Sequence, residues 1–303
     1  MPTLKEIKGR ISSVKSTLKI TAAMKLVSSA KLRKAQKATE AMRPYEARLQ
    51  RMLSLVQGPS AGWDGFSVAK EKADAPENPS ASLPAAIVAV ASNSSLCGGF
   101  NANVVAKVRS VRQAGDVVYS VGRKMADAMR KDGFPSPEDF TALADHPTYA
   151  PAAALVEKLM DDVHDGKFSK VVLVYTHFVS TAKQVPTVEE LAPSTGWDAF
   201  SVAKKRADVP ENASASLSSG DIILEPSRKE LLEALEPKLL KLKLYAALLD
   251  SAAAEHAART VAMQTATDNG ENLLQELTLQ YNKGRQQKIT SEILDLAGGQ
   301  MQE

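Results

Sequence analysis

The chain has 303 residues, a formal net charge of +3 and an aromatic fraction of 5%, and this length holds one large or two small domains. Its single cysteine, Cys97, excludes an intrachain disulfide and indicates a reducing compartment. The sequence has no run of about 18 apolar residues, so we expect no membrane-spanning segment. The first residues also lack the apolar core of an export signal.

A long helix is the first predicted element and extends from Leu4 to Val56, where Gly9 and Pro44 are the only Gly and Pro. Apolar residues recur in steps of three and four, with a change of phase, as on one face of a helix. They are Ile7, Ile11, Val14, Leu18, Met24, Val27, Leu49, Leu53 and Val56. Fifty helical residues reach roughly 75 Å, which is longer than a compact domain of this size needs.

The charge of this first helix has one sign. Residues 1–51 contain thirteen Lys or Arg against three Glu, a net charge of +10, so the rest of the chain is acidic. An ordinary solvated helix face mixes both signs, whereas a strongly basic helix favours an acidic partner. Nucleic acid, an anionic membrane surface and an acidic protein collar all meet that description.

Two near-identical segments flank the middle of the chain. Residues 62–83 read GWDGFSVAKEKADAPENPSASL and residues 196–217 read GWDAFSVAKKRADVPENASASL, and together they hold both tryptophans. Their Pro, Asn and Ser residues indicate irregular structure. One interpretation is a pair of surface insertions produced by local duplication. The other is a pair of short, aromatic-anchored strands or turns that lie side by side on the domain surface.

Between these segments, and just after the second, the pattern alternates between strand and helix. Short apolar runs predict strands at Ala85–Ala91, Val117–Val121, Val171–Tyr175, Lys183–Glu189 and Ile222–Leu224. Helical patterns cover Asn101–Arg112, Arg123–Arg130 and Ala152–His164. This order predicts a mostly parallel, Rossmann-like sheet with outer limits near residues 84 and 225.

A second long helix is predicted near the C-terminal end of the sequence. A capping box from Ser227 to Glu230 opens a short helix that Pro237 ends or kinks, so the long helix begins near Pro237 and extends to about Gly298. Its apolar positions also follow steps of three and four: Leu274, Leu277, Tyr281, Ile289, Ile293 and Leu296. Two long helices with narrow apolar stripes predict an antiparallel coiled coil. The alternative is two amphipathic helices packed on a globular core.

The sequence lacks motifs for catalysis or nucleotide binding. It has no G-x-x-x-x-G-K-[ST] loop, and Gly98-Gly99 lacks the dinucleotide-binding spacing, which favours a tight strand-to-helix turn. Cys97 is interpreted as a small buried thiol at that turn, with a nucleophile as the alternative. Metal-ligand spacing is missing among the four histidines, which are His146, His164, His177 and His256. We therefore expect no catalytic residue, no cofactor and no metal site.

Several segments resemble the gamma subunits of F-type ATP synthases. Lys19–Gln36 (KITAAMKLVSSAKLRKAQ) is similar to the N-terminal helix of that family. The segments Ala254–Gly270 (AEHAARTVAMQTATDNG) and Leu277–Glu292 (LTLQYNKGRQQKITSE) are similar to its C-terminal helix. The middle motif SLCGGFN and the VGRK element at Val121–Lys124 also match.

The resemblance fails over residues 59–83 and 195–219, which contain the repeats. Asn93-Ser94-Ser95 stands where the family usually has Asp-Arg-Gly, and Gly284 stands where it usually has Ala. Because Gly costs about 1 kcal/mol in a helix interior, the helix is expected to be softer there.

The resemblance implies a fold of the α/β class with long helices: an antiparallel two-helix coiled coil of both ends, with an inserted Rossmann-like α/β domain. It implies a non-catalytic rotor shaft inside three alpha and three beta subunits, beside an epsilon subunit and on the c-ring. Rotation of this shaft would couple proton or sodium flow to ATP synthesis or hydrolysis at the partners' sites. The implied location is peripheral, on the cytoplasmic face of a bacterial inner membrane, with no nucleic acid bound.

Seven residues are expected, by this resemblance, to contact beta subunits. They are Met24, Lys25 and Arg259 at a lower lever region, and Arg285, Gln286, Thr290 and Glu292 at a loop higher on the shaft. For each of them the alternative is ordinary coiled-coil surface or seam.

The expected organisation has six parts. They are a coiled-coil helix (1–58), an insertion (59–83), the α/β domain (84–194), a second insertion (195–219), a return strand with a short helix (220–236) and the C-terminal coiled-coil helix (237–303). From the residues alone two other classes stay open. A Rossmann-like enzyme with helical extensions would bind ATP or NAD as an isolated chain. A basic coiled-coil protein would bind nucleic acid with an affinity that falls steeply with salt.

Overall fold

A computed structural model describes residues 3–57, 83–192, 225 and 227–299 of the chain. The elements in chain order are α1 (Leu4–Gln57), β1 (Ala86–Val90), α2 (Phe100–Val111), β2 (Val117–Val121), α3 (Arg123–Lys131), α4 (Thr141–Asp145), α5 (Tyr149–His164), β3 (Val171–Phe178), β4 (Gln184–Ala192) and α6 (Arg228–Gly299). The two repeats, apart from Leu83, and the strand predicted at Ile222–Leu224 lie outside the described residues.

Helices α1 and α6 pack against each other in antiparallel orientation. The Thr267 hydroxyl donates to the Thr21 hydroxyl oxygen at 3.0 Å. A Cβ placed on Gly270 would lie 2.7 Å from Leu18 Cδ2, and one on Gly284 would lie 3.2 Å from Leu4 Cδ2. Residue numbers therefore fall along α1 as they rise along α6. This confirms the predicted antiparallel pairing of the two long helices.

Small residues let the two helices approach closely. Leu32 of α1 packs on Ala253 and Ala257 of α6, and all three are buried. Gly284 faces Leu4 directly, so this glycine lies at the contact between the two helices. Its missing methyl group leaves room for the Leu4 side chain.

The apolar stripe of α6 is covered over only part of its length. Leu277 is 6% exposed, as predicted for a seam residue, but Ile289 is 47% exposed and Ile293 is 59% exposed. The reason is that α1 begins at Leu4, opposite Gly284. Residues 285–299 of α6 therefore continue for about 22 Å without a helix of this chain described beside them.

The start of α6 corrects the prediction of a helix beginning near Pro237. One helix begins at Arg228 and contains Pro237. The Glu230 amide donates to the Ser227 hydroxyl at 3.3 Å, which caps the first turn. Proline removes one backbone hydrogen bond, but burial of Leu239, Leu240 and other leucines immediately after it stabilises a continuous helix.

The α/β unit is a four-stranded sheet of order β2-β1-β3-β4. Strand β1 is parallel to both β2 and β3, and β4 is antiparallel to β3. Ile87 and Ala89 of β1 face α2 and α3, whereas Ala86 and Val88 face the other side. This confirms the predicted mostly parallel, Rossmann-like sheet, and the structure adds that helices pack on both of its faces.

The long helices take part in the core of the sheet's second face. Leu49 and Leu53 of α1 and Leu244 and Leu248 of α6 share one buried cluster with α5 and the strands. The Arg228 guanidinium also donates to the Val56 carbonyl at 2.5 Å, joining the end of α1 to the start of α6. The lower parts of the two helices are thus built into the domain, and the upper parts project from it.

Candidate coupling surface on the shaft

The lower group of expected contact residues lies where the helical pair leaves the sheet. Met24 and Lys25 of α1 are half-buried. The contact between Thr21 and Thr267 sets the register of the two helices. By that register, Met24 and Lys25 lie at about the same level along the helix axis as Met263 of α6. Arg259 lies about one helical turn below that level. The fold therefore brings the three residues into the same short stretch of the antiparallel pair of α1 and α6, which we call the shaft.

Arg259, however, faces inward rather than outward. Its side chain is 10% exposed and lies 2.8 Å from the Glu255 carboxylate. It also donates to the Ser94 hydroxyl, in the loop that follows β1, at 2.9 Å. Burial raises the pKa of Glu255, although Arg259 acts in the opposite direction. Arg259 thus ties α6 to the domain. The i,i+4 spacing of Glu255 and Arg259 indicates their ion pair, but it does not indicate the contact with Ser94.

His256 lies beside this ion pair. Its Nδ1 atom is buried with no hydrogen-bond partner among the described residues. Burial, with further contributions from Arg259 and Lys31, lowers the pKa of His256 to about 4. Because the imidazolium form is disfavoured next to two cations in a desolvated site, His256 is a neutral component of the shaft at physiological pH.

The upper group lies on the exposed end of α6. Arg285, Gln286, Thr290 and Glu292 are all exposed. The Thr290 hydroxyl donates to the Gln286 carbonyl at 2.9 Å, and Lys288 lies 3.7 Å from the Glu292 carboxylate. Within the described part of the chain, the guanidinium of Arg285 has no acidic partner. These side chains are available to a neighbouring molecule.

The two groups are separated along the shaft. From Arg259 to Arg285 the helix rises about 39 Å, so one compact partner surface does not reach both groups at once. Exposed apolar side chains accompany each group: Ile20, Leu26 and Val27 on α1, and Ile289, Ile293 and Leu294 on α6. Apolar side chains clustered on a projecting helix indicate a protein contact surface.

A charged cluster joins the sheet to the shaft, and no sequence pattern indicates it because its members are far apart in the chain. His177 Nδ1 of β3 lies 2.5 Å from the Asp250 carboxylate of α6, whose other oxygen accepts from the Phe178 amide at 3.2 Å. The hydrogen bond to Asp250 raises the pKa of His177. Nearby, the Tyr175 hydroxyl donates to Glu189 at 3.0 Å.

The turn after β1 has the predicted character. Cys97 is buried, and the Asn101 side-chain amide donates to its sulfur at 3.2 Å. Gly98 has a φ of +58°, which few other residues adopt, and Gly99 precedes the first residue of α2. The interpretation as a tight strand-to-helix turn with a buried thiol is therefore confirmed.

Two properties of the described residues bear on other classes of protein. No cluster of three or more His, Cys, Asp or Glu residues in those ranges could hold a metal ion. No helix in the same ranges is long and apolar enough to cross a membrane.

Comparison with known proteins places this architecture in a family. The ATP synthase family model matches residues 3–301. The gamma chain of the Phocaeicola vulgatus ATP synthase is 45% identical, over 99% of this chain and 100% of that relative. The gamma chain from Bacteroides thetaiotaomicron is 42% identical over the full length of both, and the one from Flavobacterium johnsoniae is 38% identical over 99% and 98%.

Solved structures show the same fold at low sequence identity. A chain of the Euglena gracilis mitochondrial ATP synthase, in an OSCP/F1/c-ring structure, has a TM-score of 0.63 and 18% identity over 98% of this chain and 93% of that chain. A chain of the Tetrahymena thermophila central stalk and c-ring has a TM-score of 0.55 and 21% identity over 82% and 99%.

The chain has a pair of projecting antiparallel helices with an inserted α/β domain, and the family model matches it over nearly its whole length. This chain therefore belongs to the ATP synthase family. Within that family its relatives are gamma chains, so it is a central-stalk subunit of an F-type ATP synthase. Gamma chains are non-catalytic, and the catalytic sites of the synthase are on the beta subunits.

Proposed function

We propose that this chain is the rotating shaft of a bacterial F-type ATP synthase and turns within a ring of three alpha and three beta subunits. The observation that carries the proposal is the end of α6. Residues 285–299 extend past α1 with Ile289 and Ile293 exposed. A single projecting helix with exposed apolar side chains needs a surrounding surface to cover it, and a ring of subunits supplies one.

The other end of the molecule supports the rest of the assignment. The α/β domain would sit beside an epsilon subunit and on the c-ring, at the cytoplasmic face of the inner membrane. Because Leu49, Leu53 and Leu244 belong to the core of that domain, a rotation applied to the domain would be transmitted to both helices. Ion flow through the membrane sector would drive that rotation.

Rotation of the shaft would be coupled to the conformations of the beta subunits because the shaft is asymmetric. In the described ranges two helices are present below Gly284 and one above it, and basic side chains such as Lys19 and Lys31 are exposed on α1. Each beta subunit would meet a different face of the shaft in turn, and differential contacts would favour one of its conformations over another. Met24 and Lys25 would make the lower contacts, and Arg259 would hold the adjoining loop in place.

The upper contacts can be tested directly. Replacing Arg285 and Gln286 together by alanine should lower the ATP turnover of the assembled complex several-fold, because both side chains are exposed and Arg285 has no acidic partner among the described residues of this chain. Thermal unfolding of the isolated subunit should be unchanged, since surface substitutions usually alter stability by under about 0.5 kcal/mol. Both quantities are measured on the same preparation.

A matched control is available in two residues that flank this pair on α6. Lys283 and Gln287 are also an exposed basic residue and an exposed amide. Their double alanine variant removes the same kinds of group from the same turn and should retain more turnover than the first variant. Equal turnover in wild type and the Arg285/Gln286 variant would remove these residues from the coupling surface.

A further inference from the structure

Two glycines of α6 face two leucines of α1 in the part of the shaft that projects from the domain. Gly270 lies opposite Leu18, and Gly284 lies opposite Leu4. Fourteen residues separate the two leucines, and fourteen separate the two glycines, which corresponds to two heptads, or about 21 Å of helix. The two contacts therefore recur on the same face of each helix.

Each glycine leaves a gap that the facing leucine occupies. A Cβ atom on Gly270 would lie 2.7 Å from Leu18 Cδ2, and one on Gly284 would lie 3.2 Å from Leu4 Cδ2. Both distances are shorter than the roughly 3.5–4.0 Å of a favourable contact between carbon atoms. Glycine is unfavourable in a helix interior, so its presence at these two positions indicates that close packing is favoured there. Gly9 of α1 differs, because a Cβ atom there would have no described neighbour within 4 Å.

A polar contact lies one helical turn from the first of these pairs. The hydroxyl oxygens of Thr21 and Thr267 are 3.0 Å apart, and Thr21 is buried. A buried polar contact between two helices of a coiled coil specifies their register. A shift of one heptad would break this contact, and in either direction it would place Leu4 or Leu18 against Leu277, which is itself buried. A hydrogen bond and steric fit therefore specify the same register.

We propose that these contacts form an interlock that opposes sliding of α1 along α6. Bending two adjacent rods in their common plane makes one slide past the other, so a leucine held in a gap on the facing helix resists bending as well as sliding. The interlock makes the projecting pair bend as one beam, and Gly270 and Gly284 position the tip of α6 through their leucines. Its use in a rotating shaft rests on the proposed function, whereas the interlock itself is a property of this chain without partners.

The test measures how widely distances vary between the domain and the top of the helical pair. Nitroxide labels are placed in the full-length chain at two exposed positions, Lys183 in the turn before β4 and Lys283 of α6, and the buried Cys97 is replaced by serine. Pulsed electron paramagnetic resonance gives the distance distribution. Leu18→Ala should broaden it about twofold, because the amplitude of collective bending rises as the pair loses stiffness. Leu26 is 71% exposed on the same helix, so Leu26→Ala removes the same atoms and should keep the wild-type width.

A compensating variant separates the interlock from a general loss of packing. Gly270→Leu alone sets two leucines against each other and should also broaden the distribution. The double variant Leu18→Ala/Gly270→Leu moves the leucine to the other helix and should restore the wild-type width, since the two substitutions act on one contact. The proposal would be overturned if Leu18→Ala broadened the distribution no more than Leu26→Ala, or if the double variant stayed as broad as the single variants.

Discussion

Gly122 connects β2 to α3 in a backbone conformation that suits glycine alone. Its φ is +98°, and a Cβ atom there would lie 2.2 Å from the carbonyl oxygen of Ala91. The Lys124 amide donates to the Ser92 carbonyl at 3.1 Å, so the two neighbouring loops are tied together at this point. The glycine therefore sets how closely α3 approaches the end of β1.

Gly122→Ala should destabilise the chain by about 3 kcal/mol or more, because backbone atoms and not a flexible side chain must move. Urea denaturation of the full-length chain measures this change. Gly115 is the matched control, since its φ is +99° but a Cβ atom there would have no described neighbour within 4 Å. Gly115→Ala should lower the free energy of unfolding by only about 1 kcal/mol, which is the cost of the left-handed backbone conformation for a residue with a Cβ atom. Similar losses in the two variants would contradict the steric argument.

His256 gives the shaft a stability that falls in acid. Its pKa in the folded chain is lowered to about 4 by burial, whereas an unfolded histidine titrates near 6.5. Between those values the unfolded chain binds the proton and the folded chain does not, so stability falls as pH decreases from about 6.5 to about 4. The expected loss is about 2 kcal/mol, reduced from the full linkage value because some solvent reaches the ring.

The His256→Gln variant should lose most of this dependence between pH 6.5 and 4, measured as the free energy of unfolding in urea at several pH values. His164 is exposed, and His164→Gln should retain the wild-type profile. A profile for His256→Gln that parallels the wild type would mean that other groups cause the acid destabilisation.

The contact between His177 of β3 and Asp250 of α6 contributes a stability with the opposite pH dependence. The hydrogen bond to Asp250 raises the pKa of His177, so its contribution is fully present below the unfolded pKa near 6.5 and is lost as pH rises through the raised value. Charged and titratable groups from each packed element surround it: Arg43 and Glu46 on α1, Tyr175 on β3, Glu189 on β4, and Lys243 on α6.

We expect Asp250→Asn to bring the His177 pKa down toward its ordinary value, measured from the imidazole resonances by NMR. Stability should then fall less on raising the pH from 6 to 8 than it does in the wild type. His177→Gln is the complementary variant and should show the same flattening. An unshifted His177 titration in Asp250→Asn would contradict the assignment of Asp250 as its main partner.

At the scale of the elements, sequence patterns predicted the regular structure well. The strand at Val117–Val121 and the helices near Asn101–Arg112 and Arg123–Arg130 agree with the structure to within about one residue, because their apolar period is strong. Helix α4, Thr141–Asp145, was missed since five residues are too few to show a period. The start of α6 was wrongly predicted near Pro237. Packing of the leucines that follow Pro237 stabilises the helix by more than the one hydrogen bond that proline removes.

The candidate site was predictable only in part. The exposure of Arg285 and Gln286 follows from their polar segment at the end of the helix, but the inward turn of Arg259 depends on Ser94, which is 165 residues away in the chain. The same holds for His177 and Asp250, which are 73 residues apart. One sequence contains no signal for such long-range pairs.

At the scale of the whole molecule, the domain and the shaft form one mechanical unit. A single buried cluster contains residues of α1, α5, α6 and the strands, and close-packed interiors transmit displacement with little compression. Beyond Met24 and Ala262 the helical pair projects from the domain, and beyond Gly284 the described part of the chain continues as one helix. The molecule therefore narrows from an α/β foot to a one-helix tip, a shape that suits rotation inside a ring of subunits.

Co-purification of the tagged chain from its host membranes, followed by an ATPase assay on the eluate, is the decisive test of the rotor assignment. We predict recovery of alpha and beta subunits at three copies each per copy of this chain, together with ATPase activity. The Arg285/Gln286 double alanine variant should recover the same subunits with lower turnover. Elution of the chain alone, or with nucleic acid in place of these subunits, would contradict the assignment.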